Sequence, residues 1–321
     1  MGGLSRGFAL FLALIFAASL ALPLHVVVKA SPKTITVPDD YSSIQQAVDS
    51  AADGDTVFVR SGTYYQNVTI NKQLSLIGEG REKTIIMAPP RGPASERDTS
   101  ERYLFDPTMT IIINATNVRI SGFTVRNEEG FHDLDDYSDG TQIISNTLTN
   151  LLVQGSNCVI ANNTSISRLV CEGSNNSISG NSCGTIVLEG SSNLLNENSV
   201  DAIELRRADS NTVSNNDNCS SIDVTGSSNN LFGNIIKSTG YRAIWVYGHG
   251  NVFSRNNITH TGESLGIISQ TLNSFFHNNF FISPQSAGAW FPARLARVPE
   301  VFCSTPRQSS GSRRARKAAD R

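Results

Sequence analysis

The residues best suited to chemistry lie in one acidic segment, Glu128–Gly140. Four aspartates fall within seven residues of it, directly after His132: Asp133, Asp135, Asp136 and Asp139. Carboxylate oxygens at this density suit Ca²⁺, so these four are the candidate Ca²⁺- or substrate-binding residues and Ca²⁺ is the candidate cofactor. Their spacing departs from the EF-hand pattern, and we favour the alternative of a solvated acidic loop. No pattern assigns a catalytic residue.

A repeated unit of six residues, Asn-x-φ-x-x-Asn with φ apolar, predicts the elements around this segment. Its seven copies are separated by 19, 17, 18, 18, 22 and 22 residues and begin at Asn157, Asn176, Asn193, Asn211, Asn229, Asn251 and Asn273. A period near 20 residues is too short for repeats built from helical hairpins. A leucine-rich repeat would show regular leucines and a helix in each unit, and neither is present.

Short runs with alternating apolar residues separate the units, for example Ile203–Leu205 and Ile222–Val224. Such alternation is typical of strands with one buried face, so each unit predicts one coil of a parallel β-solenoid. Asparagine fits the turns because it tolerates left-handed backbone angles, and stacked amides can form an Asn ladder. We expect the φ positions to form one buried column: Val159, Ile178, Leu195, Val213, Leu231, Phe253 and Phe275.

A short helix is predicted near residues 42–52, before the strands begin. Ser42-Ser-Ile-Gln45 matches a capping box, and Gly54 would end the helix. Ile44, Ala47, Val48 and Ala51 follow the helical period and form one apolar face. We expect this helix to cover the N-terminal end of the coil stack, whose open strand edges need protection.

The same region carries a family resemblance, through Thr34–Val48, Gly54–Val57, Gly62–Tyr64 and Leu76–Gly80. These segments resemble the opening of right-handed parallel β-helix proteins of the pectin-lyase-like superfamily. The match is to the periplasmic copper-binding (NosD-type) group and to related carbohydrate-binding proteins and sugar hydrolases. The resemblance runs from about Thr34 to Ile282 and implies the fold. It does not imply an activity, because this opening occurs in both enzymes and non-enzymes.

Several functions of the superfamily lack their residues in this chain. Gly248-His249-Gly250 is similar to a polygalacturonase motif, but the accompanying aspartate pair and Arg-x-Lys are missing, and the triplet fits a turn of the repeat. Copper is not carried over, because the histidines outside the leader are dispersed and the chain has three methionines. Many polysaccharide lyases of this fold use Ca²⁺, so the resemblance also points to the acidic segment as a candidate Ca²⁺ site.

The two ends of the chain differ from its body. Residues 1–30 are predicted to be a secretory signal, with Arg6 before an apolar run and Ser31 as the first mature residue; the alternative is an uncleaved membrane anchor. Residues 31–282 form the predicted β-helix domain, with no membrane span after signal cleavage. Residues 283–321 have no period and a basic finish, and predict a disordered tail; the alternatives are a truncated domain and a basic tail that binds an acidic surface.

Charge and cysteine content narrow the function further. The 16 basic and 26 acidic residues of 31–282 give a net charge of −10, which argues against a nucleic-acid partner. The five cysteines contain no Cys-x-x-Cys pair, so a zinc site is not expected, and burial as small apolar residues is favoured over disulfides.

Two hypotheses for function follow. The first is a secreted, periplasmic or cell-surface β-helix protein that is non-catalytic and either binds a polysaccharide or surface glycan or serves as a scaffold. The second is a polysaccharide lyase, hydrolase or epimerase with its site near the acidic loop 128–140. The second would be favoured if the aspartates shared a groove with Arg119 or Arg126.

Overall fold

The computed structural model of the chain describes residues 31–89, 109–127, 132–262, 265–282 and 288–290. Contacts divide the chain into a short unit, Met1–Pro32, and a large unit, Lys33–Arg321, which holds every element described below. Within the described ranges the large unit has 29 strands and a single helix, and every strand pairing is parallel. The prediction of an all-β parallel β-helix with one short N-terminal helix is therefore confirmed.

Two long parallel sheets run along the whole stack. Sheet 1 has twelve strands, which are β1 (Thr34–Val37), β2 (Thr56–Val59), β5 (Ser75–Gly78), β8 (Arg119–Ser121), β11 (Gln142–Ile144), β13 (Val159–Ala161), β15 (Ser177–Ser179), β17 (Leu194–Asn196), β19 (Thr212–Ser214), β21 (Asn230–Phe232), β24 (Val252–Ser254) and β27 (Ser274–Phe276). Sheet 2 has eleven, which are β4 (Val68–Ile70), β7 (Ile111–Ile113), β10 (Leu134–Asp136), β12 (Asn150–Val153), β14 (Ile166–Cys171), β16 (Ser182–Leu188), β18 (Ser199–Leu205), β20 (Ser221–Val224), β23 (Ile244–Val246), β26 (Leu265–Ser269) and β29 (Gly288–Trp290).

Two shorter sheets complete the coils at either end. Sheet 3 contains β3 (Gly62–Tyr65), β6 (Thr84–Met87) and β9 (Thr124–Arg126), and sheet 4 contains β22 (Ile235–Ser238), β25 (Asn257–His260) and β28 (Asn279–Ile282). Strand β29 lies within the segment 283–321 that was predicted as a tail, so pairing with sheet 2 continues past Ile282. The rest of that segment and the predicted signal, residues 1–30, lie outside the described residues.

Helix α1 (Ile44–Ser50) begins one residue later than the predicted capping box implies. Its N-cap is Ser43, whose Oγ accepts the backbone N–H of Gln46 at 3.1 Å. The helix ends at Ser50, before Gly54, because the backbone at Ala51 is already extended. With only seven residues, this one helix of the described ranges is too short to cross a bilayer.

The core of sheet 1 is a column with one apolar side chain in each coil. The strand register aligns buried residues, namely Ile160, Ile178, Leu195, Val213, Leu231, Phe253 and Phe275. The prediction of Val159 for this column is wrong, because Val159 is only partly buried and its neighbour Ile160 pairs with Ile178. The first repeat unit therefore begins at Cys158, one residue after the predicted Asn157.

Two rows of asparagine amides flank this column, and all are buried except the half-buried Asn273 and Asn278 at the end of the stack. Row 1 comprises Asn176, Asn193, Asn211, Asn229, Asn251 and Asn273, and row 2 comprises Asn146, Asn163, Asn181, Asn198, Asn216, Asn234, Asn256 and Asn278. Each Oδ1 accepts a backbone N–H of the coil before it; Asn198, for example, accepts from Asn181 at 3.0 Å. Each Nδ2 of row 2 donates to the backbone carbonyl of a core residue in the preceding coil, as Asn198 does to Ile178 at 2.9 Å. The rows thus satisfy backbone groups that the turns leave without strand partners.

Left-handed backbone angles fall on the residue before 13 of the 14 row asparagines, all except Asn273, rather than on the row asparagine itself. Asn175 has φ 58° and Gly180 has φ 63°, and they precede Asn176 and Asn181. The row residue must point its amide inward, so the preceding residue makes the sharp change of direction. Asn157 and Asn162 occupy such preceding positions, which explains the one-residue shift of the first unit.

The triplet Gly248-His249-Gly250 is a turn of the repeat, as predicted. It stacks on Gly226-Ser227-Ser228, with the backbone N–H of His249 donating to Ser227 Oγ at 3.1 Å. A Cβ at Gly248 would lie 1.6 Å from the carbonyl oxygen of Gly226, so glycine is required by the close approach of the two coils.

Replacing Leu195 by alanine should lower the free energy of unfolding by about 2–5 kcal/mol, because its side chain is fully buried in the column. The matched control is Leu194→Ala in the same strand, since that side chain is 43% exposed. Chemical denaturation of both variants measures the difference. Equal losses would place Leu195 outside the core.

Asn198→Asp should cost at least about 3 kcal/mol, because a buried carboxylate would face the carbonyl oxygens that the amide now bonds. Asn196→Asp is the control for the same chemistry. The Oδ1 of Asn196 accepts from Ser214 Oγ at 2.8 Å and Asn215 Nδ2 at 3.1 Å, both of which suit a carboxylate. Thermal and denaturant unfolding should show a large loss for the first variant and little for the second; similar stabilities would refute a structural role for the row amide.

Candidate functional site

The centre of the acidic segment is a strand. Leu134–Asp136 forms β10, which pairs with β7 on one side and β12 on the other. The prediction of a projecting loop is therefore wrong for these residues, because their backbone completes the ladder of sheet 2. Residues 128–131 of the segment lie outside the described residues.

Asp136 points into the interior of the stack. It aligns with the core residues Ile113 and Val153 and is fully buried. Its Oδ1 accepts from the backbone N–H of Ser138 and from Thr141 Oγ1, each at 3.1 Å. Burial raises the pKa of this carboxyl to about 6, against the lowering effect of these hydrogen bonds. Asp136 is thus part of the core's polar network.

Asp133 connects three segments at the corner that leads into sheet 2. It is fully buried, and its two oxygens accept the backbone N–H groups of Asn127, at 2.8 Å, and of Thr149. Burial raises its pKa to about 6, although these backbone hydrogen bonds lower it in part. Both oxygens are committed to the backbone, so this carboxylate holds the corner together.

Asp135 occupies the outward position of β10 and is nevertheless fully buried. His132 Nδ1 lies 2.9 Å from its Oδ1, and the Tyr137 hydroxyl donates to its Oδ2 at 3.1 Å. The hydrogen bond to Asp135 raises the pKa of His132, and burial, together with the charge of Asp135, raises the pKa of Tyr137 to about 12. His132 and Tyr137 remain 37% and 42% exposed, so the group reaches the surface through them.

Asp139 differs from the other three because it is exposed, with its Oδ1 accepting the backbone N–H of Ser156 at 2.7 Å. The four aspartates therefore do not converge on one point. Asp136 points into the core, Asp133 is bonded to backbone N–H groups, Asp135 contacts His132 and Tyr137, and Asp139 faces solvent. The described residues contain no group of three or more His, Cys, Asp or Glu arranged to hold a metal ion.

One of the two predicted basic partners lies beside the acidic segment. Arg126 lines a cleft of about 320 Å³ with Asn127 and Thr149, the residues whose backbone bonds Asp133. Arg119 lies in sheet 1, where it donates to Gln142 Oε1 at 3.3 Å. The sequence thus indicated Arg126 as a neighbour of the site, and the structure places Arg119 elsewhere.

A second cluster, which sequence reasoning missed, lies on the outward face of sheet 2. Glu204, Asp223 and Trp245 occupy the same outward position in three successive coils. Arg242 donates to Asp223 from Nε at 3.4 Å and from Nη2 at 3.1 Å, and its Cζ lies 3.9 Å from the centre of the Trp245 ring. Alignment of the runs Ile203–Leu205, Ile222–Val224 and Ile244–Val246 by their repeat would have brought these side chains together.

Tyr247 extends this cluster on the same face. Its ring packs edge-on against Trp245, with centres 4.9 Å apart and planes at 87°, and the residue is 46% exposed. In the preceding coils Arg206 pairs with Glu204 at 2.6 Å and approaches Glu189 at 3.7 Å. We call Asp223, Arg242, Trp245 and Tyr247 the aromatic cluster.

The four described cysteines are buried and free, namely Cys158, Cys171, Cys183 and Cys219. Burial raises the pKa of the Cys183 and Cys219 thiols to about 12, so they are not reactive nucleophiles.

Comparison with known proteins gives distant similarities. No protein-family model matches the chain. A cell surface glycoprotein of Methanothermus fervidus is 29% identical over 152 residues, which is 47% of this chain and 22% of the glycoprotein. The match thus spans about a fifth of that relative's length.

Solved structures with low similarity include several pectin methylesterases. The enzyme from carrot is 13% identical, with 82% of this chain and 85% of that chain covered and a TM-score of 0.34. PemA from Erwinia chrysanthemi is 12% identical, with 85% and 93% covered and a TM-score of 0.33. ORF18 of Geobacillus virus E2 is 13% identical, with 90% and 63% covered and a TM-score of 0.44.

The raised pKa values near 6 of Asp133 and Asp136 predict a pH-dependent stability. Between the unfolded value near 4 and the folded value near 6, the folded state binds more protons, so stability falls as pH rises, by up to about 1.4 kcal/mol per pH unit for each group. Asp136→Asn should flatten this slope, because the amide remains neutral. Urea unfolding between pH 4 and 7 measures it, with Asp139→Asn as control. A wild-type slope that Asp136→Asn leaves unchanged would contradict the assignment.

Proposed function

We propose that the chain is part of a secreted or cell-surface protein, exported by the signal at residues 1–30, and that it binds carbohydrate through the outward face of sheet 2 without catalysis. The observation that carries this proposal is the aromatic cluster, which combines two partly exposed rings with hydrogen-bonding groups on a rigid sheet. Sugar recognition uses this combination, because rings contact apolar C–H faces while polar side chains bond hydroxyl groups.

The surface location is supported by the relative named a cell surface glycoprotein. The parallel stack with its satisfied amide rows also suits a rigid scaffold. The non-catalytic part is supported by the acidic segment, since Asp133 and Asp136 are committed to structural hydrogen bonds. Ca²⁺ binding by the four aspartates is not part of this proposal, because they point in different directions.

A polysaccharide-active enzyme is the second candidate. The group formed by His132, Asp135 and Tyr137 favours it, because a buried carboxylate orients two partly exposed residues that can transfer protons. Arg126 and its cleft lie at the same corner and could hold an acidic sugar. This site defines where activity would reside, should the chain have any.

A glycan array with the full chain, followed by prolonged incubation with each bound glycan, tests the proposal. We expect binding with no new reducing ends, unsaturated products or epimers by mass spectrometry. Product formation that Asp135→Asn abolishes would establish the enzyme and refute the non-catalytic proposal. Absence of binding to every glycan would refute the carbohydrate-binding proposal itself.

A further inference from the structure

We infer that the aromatic cluster is a binding site for a neutral saccharide and that Trp245 and Tyr247 provide its stacking surface. This inference rests on the proposed function and specifies where the sugar binds and which chemical class it belongs to. Trp245 lies on the outward face of sheet 2, Tyr247 directly follows the same strand, and the two rings contact edge-on with their planes at 87°.

The cluster is built as a rigid unit before any ligand arrives. The Asp223 carboxylate holds the Arg242 guanidinium by two hydrogen bonds, and that planar group lies over the indole of Trp245. Arg242 therefore covers one face of the indole, and Tyr247 packs edge-on against the same ring. Rings fixed in this way lose little conformational entropy on binding, which is a requirement for affinity on an open surface.

Arg242 is a positioning residue with a further consequence for specificity. Its charge is offset by Asp223 at 3.1 Å, so it offers hydrogen-bond donors with little net attraction for an anion. Arg206 is likewise paired with Glu204. These two arginines lie within 4 Å of three carboxylates on the neighbouring coils of the sheet: Glu189, Glu204 and Asp223.

This balance of charge selects the ligand class. An acidic polysaccharide such as a polyuronate would approach a surface with more carboxylates than guanidinium groups, within a body of net charge −10. A neutral saccharide carries no such penalty and can use both the rings and the polar groups. Exposed Gln270, on the coil after that of Tyr247, adds a side-chain amide to the same column.

The test is a titration of the full chain with neutral hexasaccharides of glucan, xylan and mannan, and with oligogalacturonate of the same length. The chain has two tryptophans, so Trp290→Phe leaves Trp245 as the single fluorescent indole. We expect at least one neutral hexasaccharide to bind, to change the Trp245 emission, and to keep its affinity when salt is raised, because no net charge is neutralised.

Trp245→Ala and Tyr247→Ala should each raise the Kd for that hexasaccharide by about tenfold or more, equivalent to about 1.4 kcal/mol. Tyr65→Ala is the matched control, since Tyr65 is 63% exposed on sheet 3 and its removal should leave the Kd unchanged. Far-UV spectra and unfolding curves establish that each variant is folded, and the two cluster variants test the site independently.

The outcomes separate this inference from the proposed function. Binding that survives in both folded cluster variants would overturn the site while leaving carbohydrate binding in place. Preference for oligogalacturonate, weakened by salt, would overturn the neutral class. If the wild type binds no hexasaccharide in the titration and no glycan on the array, both the neutral-saccharide site and the proposed carbohydrate binding are overturned.

Discussion

From Asn146 onward, the structure depends on one interaction, in which an inward asparagine amide of each coil accepts a backbone N–H of the coil before it. Strand pairing satisfies the backbone along the sides of the stack, but the turns between sides have no such ladder. The Oδ1 of each row residue accepts one N–H there, and the Nδ2 of each row 2 residue donates to a core carbonyl at about 3 Å, as Asn198 does. Because each amide bonds the coil before it, the rows also help to set the register of the coils between Phe123 and Asn278.

The rows restrict where coils can differ in length. Five residues separate the two asparagines on either side of a sheet 1 strand, as from Asn229 to Asn234 and from Asn251 to Asn256. The other arc of the coil takes 13 residues from Asn216 to Asn229 and 17 from Asn234 to Asn251. Additional residues therefore enter beside sheet 2, the same region that carries the acidic segment, the cleft and Arg242. The arc beside sheet 1 is constant in length, and variation in length is confined to the arc beside sheet 2.

Sequence reasoning identified the fold because the repeat records an interaction between successive coils. It misplaced the first unit because asparagine suits two adjacent positions, the left-handed residue and the inward row residue, and Cys158 fills the latter in that coil. It treated the acidic segment as a loop because the hydrogen-bond partners that make burial tolerable, Thr141 and Thr149, lie just beyond the segment and in the next strand region. Composition alone carries no record of such partners.

The aromatic cluster was missed for a related reason: Asp223, which fixes Arg242 beside Trp245, comes from the preceding coil. In a β-helix, a column on the sheet face brings together residues about 18–22 positions apart, each held by strands that the amide rows have already fixed. Outward side chains can then change without disturbing the core, because alternation along a strand separates the two faces. On such a face the stack holds the backbone rigid, and the aligned residues of successive coils supply the side chains. Candidate sites on this fold are therefore found by aligning outward residues of successive coils, as for Glu204, Asp223 and Trp245.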